Sequence, residues 1–491
     1  MKNHGLVLFV LMLLLILMGC NSHSTHQTDG LPSLYVMMSD DDLDSILHDK
    51  KFKAPAFVTL VTSSGDTLLC DSIDNIHTRG NTTFKHEKKP FTIKLRKKTK
   101  VLGLDRGKRY VLFANAFDES YIRNAVAFDL ADVIGLKAPK YSYLSLYINS
   151  KYRGLYQITN KIEDIMDFGR DGFLMEGNSH VELPRHLSDE ERDSIVRKYK
   201  KIESYIEECA DCDACYDSLQ RWMDMESFAK YYLLHEITLN MDATGPGSFF
   251  KYASNEDDGK LHAGPAWDFD KSLATIHRGW NYEWEKNEIV AGLGLLDSSG
   301  KVRSGVLLYA LWKREDFREL VKDIYMNEVS ELCHDYLESG RMDSLIDYLR
   351  LGAEKDYNEN GGWRYFAYDE ETQRVRTFLQ QRLEFLDWFF ATPREDMVCI
   401  TYLDTCRHGD GDRIAQVWLP ANNTLKLPKL LETPFNNTPV PDVLCYKRTN
   451  DKVSNQTLIK SEDEIELKWR KPTKKEVLSR RIRKKLHSWG L

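Results

Sequence analysis

The feature that most constrains the fold is a change of hydrophobic periodicity near residue 185. Before it, short segments alternate apolar and polar residues, as half-buried strands do. In "KKPFTIKLRKK", for example, Phe91, Ile93 and Leu95 alternate with polar residues. After residue 185, longer segments such as "DEETQRVRTFLQQRLEFLDWFF" carry apolar residues at helical spacing. The chain is therefore predicted to consist of a strand-rich part followed by a helical part.

Local signals add detail to both parts. The segments "AFVTLVT" and "TLLCDSIDNIHTRG", joined by "SSGD", predict a β-hairpin. Ser39, followed by several acidic residues, is predicted to cap a short helix. One helix is predicted within 118–135, where Gly135 can end it. In the helical part, Ser188 and Glu191 fit a capping box.

Composition and charge exclude some classes of protein. The chain has 491 residues, of which 42% are hydrophobic, so it can bury at least one substantial core. Lys and Arg number 68 and Asp and Glu number 75, which gives 68 − 75 = −7 and argues against a general nucleic-acid binder. From Pro393 onward, short strands and turns predict a small β module. Residues 468–485 then hold ten Lys or Arg and one Glu, typical of a solvated or disordered end or of contact with an anionic membrane or glycan surface.

The N-terminus indicates export. An apolar run from Leu6 to Met18 is followed by Gly19 and Cys20, and it is short for a membrane span. The ending "LMGC" resembles a bacterial lipoprotein signal, so residues 1–20 are predicted to be a signal peptide, with Cys20 lipidated, and 21–32 a flexible tether. The alternative is an uncleaved anchor. Both place the body outside the cytoplasm at a membrane of the cell envelope, the outer membrane or the cell surface.

The eight other cysteines include the cluster "CADCDAC" at 209–215. Its spacing allows a metal site, but three cysteines without a nearby fourth ligand favour a local disulfide or surface thiols.

Two acidic loops in the helical part are candidates for chemistry. "HEITLNMDATGPGSFFKY" carries Asp242 from a helix end into a loop broken by glycine and proline, and "GPAWDFDKSL" sets Asp268 and Asp270 around a phenylalanine. Phosphoryl-transfer enzymes place a catalytic base and a metal ligand on two such loops. They also need cations around the phosphates. "HTRGNTTFKHEKKPFTIKL" supplies basic residues beside the glycine turn Arg79-Gly80-Asn81. The alternatives are a capping turn and an ordinary hairpin.

Taken together, five segments in order resemble the CotH family of atypical protein kinases: "TRGNTTFKHEKKPFTIKL", "DESYIRNAVAFDLA", "YINSKYRGLYQITNKI", "EITLNMDA" and "GPAWDFDKSL". The resemblance covers residues 33–392 and leaves 393–491 as a small β-rich region with the basic tail. It implies an α+β, protein-kinase-like two-lobed fold, with a β-rich N-lobe, a helical C-lobe, and ATP and Mg²⁺ between them.

The resemblance also implies roles for the acidic residues. Asp242 takes the position of the catalytic-loop carboxylate that accepts or orients the hydroxyl proton of the substrate. Asp268 takes the metal-ligand position, and Asp270 binds a second metal or orients the first. Ser248 lies near the position where ordinary kinases have a metal-binding Asn. Magnesium prefers such oxygen ligands.

Two lysines compete for the role of gripping phosphate: the family pattern around "KKP" favours Lys89, and likeness to a kinase strand favours Lys94. The family usually has Glu where this chain has Asn160, near the nucleotide-adenine segment, so the loss of charge is expected to weaken nucleotide binding. For the pair Arg123-Asn124, a buried structural role and a phosphate-binding role are both open.

The predicted function is Mg²⁺-dependent phosphoryl transfer from a nucleotide to hydroxyls of extracytoplasmic proteins or, as a second choice, of glycans. The alternative is a catalytically weak, kinase-like surface scaffold that binds a glycan or a partner. Expected partners are the hydroxyl substrate and a lipid membrane, reached through Cys20, but no nucleic acid.

Overall fold

The structure is a computed structural model. It describes the residues in these ranges: 29–165, 173–176, 180–182, 187–208, 212–240, 250–253, 259–274, 286–289, 294–296, 302–303, 306–361, 366–404, 413–421, 440–446, 452–453 and 465–470.

The strand-rich part forms a closed barrel of seven strands in the order β1-β2-β3-β4-β5-β7-β6. Neighbouring strands are antiparallel except β1 and β6, which pair in parallel and close the barrel. Alternate side chains fill the interior, because successive residues of a strand point to opposite faces. The strands are β1 (Ser33–Met37), β2 (Ala54–Val61), β3 (Thr67–Thr78), β4 (Phe91–Thr99), β5 (Gly107–Phe113), β6 (Tyr141–Ile148) and β7 (Lys151–Asn160).

The prediction of a protein-kinase-like fold with an N-lobe sheet is therefore wrong, because the N-terminal sheet has no free edges. Residues 33–36 of β1 pair with 145–148 of β6. A closed barrel and an open sheet show the same alternation of apolar and polar residues along each strand. Periodicity alone could not distinguish them, and the pairing of the first strand with the sixth decides the architecture.

Several local predictions are confirmed. Strands β2 and β3 form the expected hairpin. Helix α1 (Asp40–His48) begins after Ser39, whose Oγ accepts a hydrogen bond of 3.1 Å from the backbone N–H of Asp42. Helix α2 (Arg123–Val133) lies within the predicted 118–135 and is buried along most of its length.

The helical part packs around a larger apolar cluster that also includes α2. The capping box is confirmed: the side chains of Ser188 and Glu191 exchange hydrogen bonds with each other's backbone N–H. A π-helical turn, Tyr325–Val329, joins two of the helices. The helices are α3 (Ile162–Ile165), α4 (Asp189–Glu208), α5 (Asp213–Trp222), α6 (Met225–Thr238), α7 (Val306–Lys313), α8 (Glu315–Ile324), α9 (Ser330–Glu338), α10 (Arg341–Asn360) and α11 (Tyr368–Ala391).

Two further sheets lie outside the barrel. One has the order β11-β10-β8-β9 and the other β13-β12-β15-β14-β18-β16-β17. The second sheet contains the strands after residue 393 and also β12 and β13, which come from the helical part. The strands are β8 (Phe173–Glu176), β9 (His180–Glu182), β10 (Phe250–Ala253), β11 (Leu261–Ala263), β12 (Gly294–Leu296), β13 (Val302–Arg303), β14 (Met397–Asp404), β15 (Arg413–Pro420), β16 (Val440–Tyr446), β17 (Lys452–Val453) and β18 (Ile465–Arg470).

Within the cysteine cluster, Cys212 and Cys215 form a disulfide at the start of α5, one of the two outcomes that the spacing favoured. No helix in the described part of the chain combines the length and the apolar character needed to cross a membrane.

Candidate active site

A cleft of about 570 Å³ lies between one end of the barrel and the loop that contains "WDFD". The turn after β3, the segment after β5, the start of α2 and residues 267–271 all line it. Elements that are distant in sequence therefore meet around one cavity. The predicted residues that line it are Arg79, Gly80, Asn81, Asp268 and Asp270.

The turn after β3 has a shape that only glycine permits at its centre. Gly80 has φ +84°, and a Cβ built on it would lie 2.1 Å from Oγ1 of Thr83. The guanidinium of Arg79 lies 5.8 Å from the ring centre of Phe113 and 5.6 Å from that of Trp267. These cation–π contacts join the turn to the "WDFD" loop.

A residue of α2 binds the backbone of the "WDFD" loop. The backbone N–H of Phe269 donates a 2.8 Å hydrogen bond to Oδ1 of Asn124, which is buried. Phe269 is itself buried between the two aspartates, and Asp268 has φ +66°, a conformation that costs energy for a residue with a side chain. The buried Phe269 leaves Asp268 and Asp270 partly exposed to the cleft.

Arg123 is fully buried and bonds to three parts of the molecule. Its guanidinium lies 2.5 Å from Asp118 and 2.8 Å from Glu371 on α11, and its Nε donates to the carbonyl of Ser272 at 3.1 Å. Of the two roles left open for Arg123-Asn124, the structure shows the structural one. Desolvation by burial lowers the pKa of Arg123, but the charges of Asp118 and Glu371 together outweigh it, so that its pKa is raised.

The end of α6 reaches the same loop. The backbone N–H of Leu273 donates to the carbonyl of Thr238 at 2.8 Å, and Nδ2 of Asn240 lies 3.5 Å from the carbonyl of Asp268. Asn240, the last described residue of this segment, therefore lies beside the "WDFD" loop.

A buried ion pair fixes the end of α6. Arg382 on α11 pairs with the carboxylate of Glu236, and its Nε donates to the Glu236 carbonyl at 2.9 Å. A third bond of 2.7 Å runs to the carbonyl of Lys286. These bonds tie the end of α6 to α11 and to residue 286.

The electrostatics of the cleft are mixed, with cations on the barrel side. Lys50, Lys51 and Arg79 line it there, opposite Asp268 and Asp270. Burial first, and then the charges of Lys53, Arg79 and Lys161, lower the pKa of the barrel residue His77 to about 4. The cations Lys50, Lys51 and Arg79 suit the barrel side of the cleft to an anion.

Two carboxylates on one wall of a cleft are the oxygen ligands that Mg²⁺ prefers in proteins, and Mg²⁺ takes its remaining ligands from phosphate and water. Asp268 and Asp270 therefore fit a bound magnesium ion. Within the described ranges, no group of three His, Cys, Asp or Glu side chains forms a metal-binding cluster.

The structure places three predicted residues away from this cleft. Lys94 lies on the barrel surface in a half-exposed ion pair with Asp74, at 2.9 Å. Nζ of Lys89 donates to the carbonyl of Phe84 and faces a different cavity. Asn160 is buried at the end of β7, where its Nδ2 donates to the carbonyl of Asp105.

Three other predicted residues, Asp242, Ser248 and Cys20, lie outside the described residues. Their roles stay predictions.

Lys88 is one of the basic residues beside β4 that the sequence offered as cations for phosphate, but only Lys89 and Lys94 were candidates for gripping it. It lies 2.5 Å from Asp356 on α10, donates to the carbonyl of Leu155 at 2.7 Å and lies over the rings of Tyr121 and Tyr156. Burial lowers its pKa against the opposing effect of Asp356. The only sequence signal was its place beside Lys89 in "KKP", since its partner lies 268 positions away.

Cations at a glycine turn, facing two carboxylates on a second loop, are the arrangement of phosphoryl-transfer proteins. Over residues 76–386, more than half of the chain, the sequence matches the CotH kinase protein family, and the chain belongs to that family. No curated protein matches it. Among solved structures, the crystal structure of a Helicobacter pylori proinflammatory kinase, CtkA, is similar at 10% identity, covering 61% of this chain and 94% of that one with a TM-score of 0.28. Family membership rests on the sequence match.

Proposed function

We propose that the protein transfers a phosphoryl group from a nucleotide to a hydroxyl of an extracytoplasmic protein. The observation that carries this proposal is the cleft, which sets the Arg79-Gly80-Asn81 turn opposite Asp268 and Asp270 in a member of the CotH kinase family. The turn offers backbone N–H groups and a guanidinium to phosphate oxygens, and the aspartates offer carboxylates to a divalent cation.

In the proposed reaction, the acceptor oxygen forms a bond to the γ-phosphorus while the bond from that phosphorus to the β-phosphate oxygen breaks, and the diphosphate leaves. The hydroxyl proton passes to the carboxylate of Asp242, which follows the helix end beside the "WDFD" loop. Magnesium, when bound by Asp268 and Asp270, would neutralise charge on the phosphate oxygens. Arg79 orients the same oxygens from the barrel side.

Binding is the first test, with the full-length chain in mild detergent. Mg²⁺ and ATP together should raise the unfolding temperature, and Asp268→Asn should remove that rise. Asp74→Asn is a matched control, since it makes the same chemical change on the barrel surface. An equal stabilisation of wild type and Asp268→Asn would contradict the assignment of the metal site.

Turnover is the second test. Labelled phosphate transferred to a protein acceptor should disappear in Asp242→Ala, while Mg²⁺-dependent ATP binding remains. If no nucleotide with any divalent cation changes the unfolding temperature, the protein is instead a catalytically weak scaffold of the CotH kinase family.

We also propose that the chain is held at a membrane of the cell envelope through a lipid on Cys20. The support is the apolar run from Leu6 to Met18 before "GC". Cys20→Ser should abolish incorporation of a labelled fatty acid and release the protein from the membrane fraction. Incorporation that survives this change would refute the anchor.

A further inference from the structure

A second pocket of about 300 Å³ lies on the other side of the segment that follows β5. Asn115 and Ala116 line both this pocket and the cleft, so the two cavities adjoin along that segment. Other walls come from the residues before β4, the residues before α2, the start of β7, the end of α10 and the start of α11.

Asn115 brings an unused amide to this boundary. The residue is 8% exposed, and neither Nδ2 nor Oδ1 has a hydrogen-bond partner among the described residues. Its φ of +50° is a left-handed conformation, which asparagine tolerates better than most residues. A buried amide without partners costs free energy, so its retention is explained if a ligand supplies the missing hydrogen bonds.

Arg153 brings a cation to the same pocket. It is half-buried on β7, and within the described part of the chain no carboxylate forms an ion pair with it; its Nε has no hydrogen-bond partner there either. Lys88 and Asp356, which also line the pocket, already form an ion pair with each other. Gly154, the next residue, keeps that pair compact, because a Cβ there would lie 2.6 Å from both side chains.

A carboxylate accepts from both donors, the guanidinium of Arg153 and Nδ2 of Asn115, and an N–H of the same ligand's peptide backbone would donate to Oδ1 of Asn115. A guanidinium and an amide both donate to a planar pair of oxygens. Four acidic residues, Glu87, Asp118, Glu119 and Asp356, also line the pocket, and they oppose a doubly charged phosphate more than a singly charged carboxylate. The volume is at the lower end of the range for small-molecule sites, which suits one side chain. The rings of Tyr152 and Tyr156 also line the pocket, where they would pack against the methylene groups of such a side chain.

We propose that this pocket binds an acidic side chain of the acceptor protein, close to the hydroxyl that is phosphorylated, through Arg153 and the amide of Asn115. The proposal rests on the proposed phosphotransferase function, since the pocket's closeness to the cleft gives it a role in choosing the acceptor.

Binding is measured by calorimetry on the full-length chain with two probes, N-acetylglutamate amide and N-acetylglutamine amide. Both have blocked, uncharged termini and differ only in the charge of the side chain. We expect the glutamate probe to bind about tenfold more tightly, and Arg153→Gln to remove that preference. Arg96→Gln, on an exposed position of β4, is the control and should leave the preference intact. Asn115→Ala should weaken binding of both probes.

Turnover is measured with serine peptides that differ only by Glu or Gln at one flanking position. The Glu peptides should have the higher kcat/KM, chiefly through KM, and Arg153→Gln should equalise the pair while Mg²⁺-dependent ATP binding is unchanged. A structural role for Arg153 would instead lower kcat/KM for both peptides alike.

Three results would overturn the proposal: equal affinity for the two probes, a preference that survives Arg153→Gln, or binding of inorganic phosphate in place of the glutamate probe. If the glutamate probe binds through Arg153 but no nucleotide binds the cleft, the phosphotransferase function fails and the acceptor assignment fails with it, whereas the carboxylate site stands. Nucleotide binding without glutamate binding refutes the pocket alone.

Discussion

Replacing Asn124 with alanine tests whether α2 positions the metal-binding loop. In the folded protein, Oδ1 of Asn124 accepts a 2.8 Å bond from the backbone N–H of Phe269, between Asp268 and Asp270. Asn124→Ala leaves that buried N–H without its acceptor. A buried donor left without a partner costs about 1–3 kcal/mol.

This free-energy cost should destabilise the conformation of the "WDFD" loop rather than the whole fold, because α2 remains packed on all sides and keeps its other contacts. If all of it opposes the binding conformation, affinity for Mg²⁺ and ATP falls about 5- to 150-fold, at 1.4 kcal/mol per factor of ten. Calorimetric titration of ATP in excess Mg²⁺ measures this, and urea unfolding shows whether the chain remains folded.

The matched control is Asn149→Gly. Oδ1 of Asn149 also accepts a backbone N–H bond from another element, that of Met38 at 3.0 Å, but at the turn between β6 and β7. Glycine suits its φ of +49°. This change should lower stability without altering ATP affinity. Unchanged ATP affinity in folded Asn124→Ala, or an equal loss in both variants, would refute the reasoning.

Three further changes test other parts of the structure. Gly80→Ala should weaken ATP binding about tenfold or more in the same titration, since a positive φ costs a side chain about 1–2 kcal/mol and the new Cβ meets Thr83. Lys88→Met should lower the free energy of unfolding in urea by about 3 kcal/mol, because it leaves the buried Asp356 carboxylate with hydrogen bonds from Tyr121 and Asn360 but without its cation. Burial raises the pKa of Asp129 to about 6. As the pH falls, the folded state therefore takes up a proton at Asp129 before the unfolded state does. Relative to Asp129→Asn, the free energy of unfolding of wild type should thus rise by about 1 kcal/mol for each pH unit as the pH falls from 6 to 4.

Each of these changes has its own check. Gly65 has a similar φ, +93°, but nothing within 4 Å of a built Cβ, so Gly65→Ala should leave ATP binding unchanged. Lys94→Met removes a half-exposed ion pair and should lower the free energy of unfolding by at most about 1 kcal/mol. If Lys88→Met lowers it by no more than Lys94→Met does, burial of the ion pair is not decisive. Parallel pH curves for wild type and Asp129→Asn would show that Asp129 is ionised in the fold at pH 5.

The site was partly predictable, because its parts carry local signatures. The Arg79-Gly80-Asn81 turn and the pair Asp268 and Asp270 stand out as a glycine between polar residues and as paired carboxylates, and they do line one cleft. Lys88 and Asn115 carry no comparable signature. Their properties come from partners, or the lack of them, in distant segments.

The sequence by itself determined what depends on near neighbours. This includes the alternation that makes strands, the hairpin of β2 and β3, the caps at Ser39 and Ser188, the helix that begins at Arg123, and membership of the CotH kinase family. Tertiary structure decided what depends on long-range pairing. Closure of the barrel by β1 and β6, the sharing of one sheet by C-terminal and internal strands, and the choice of Lys88 rather than Lys89 as the lysine paired to Asp356 all follow from which surfaces meet. Periodicity fixes the face of each residue, but only the packed chain fixes what that face touches.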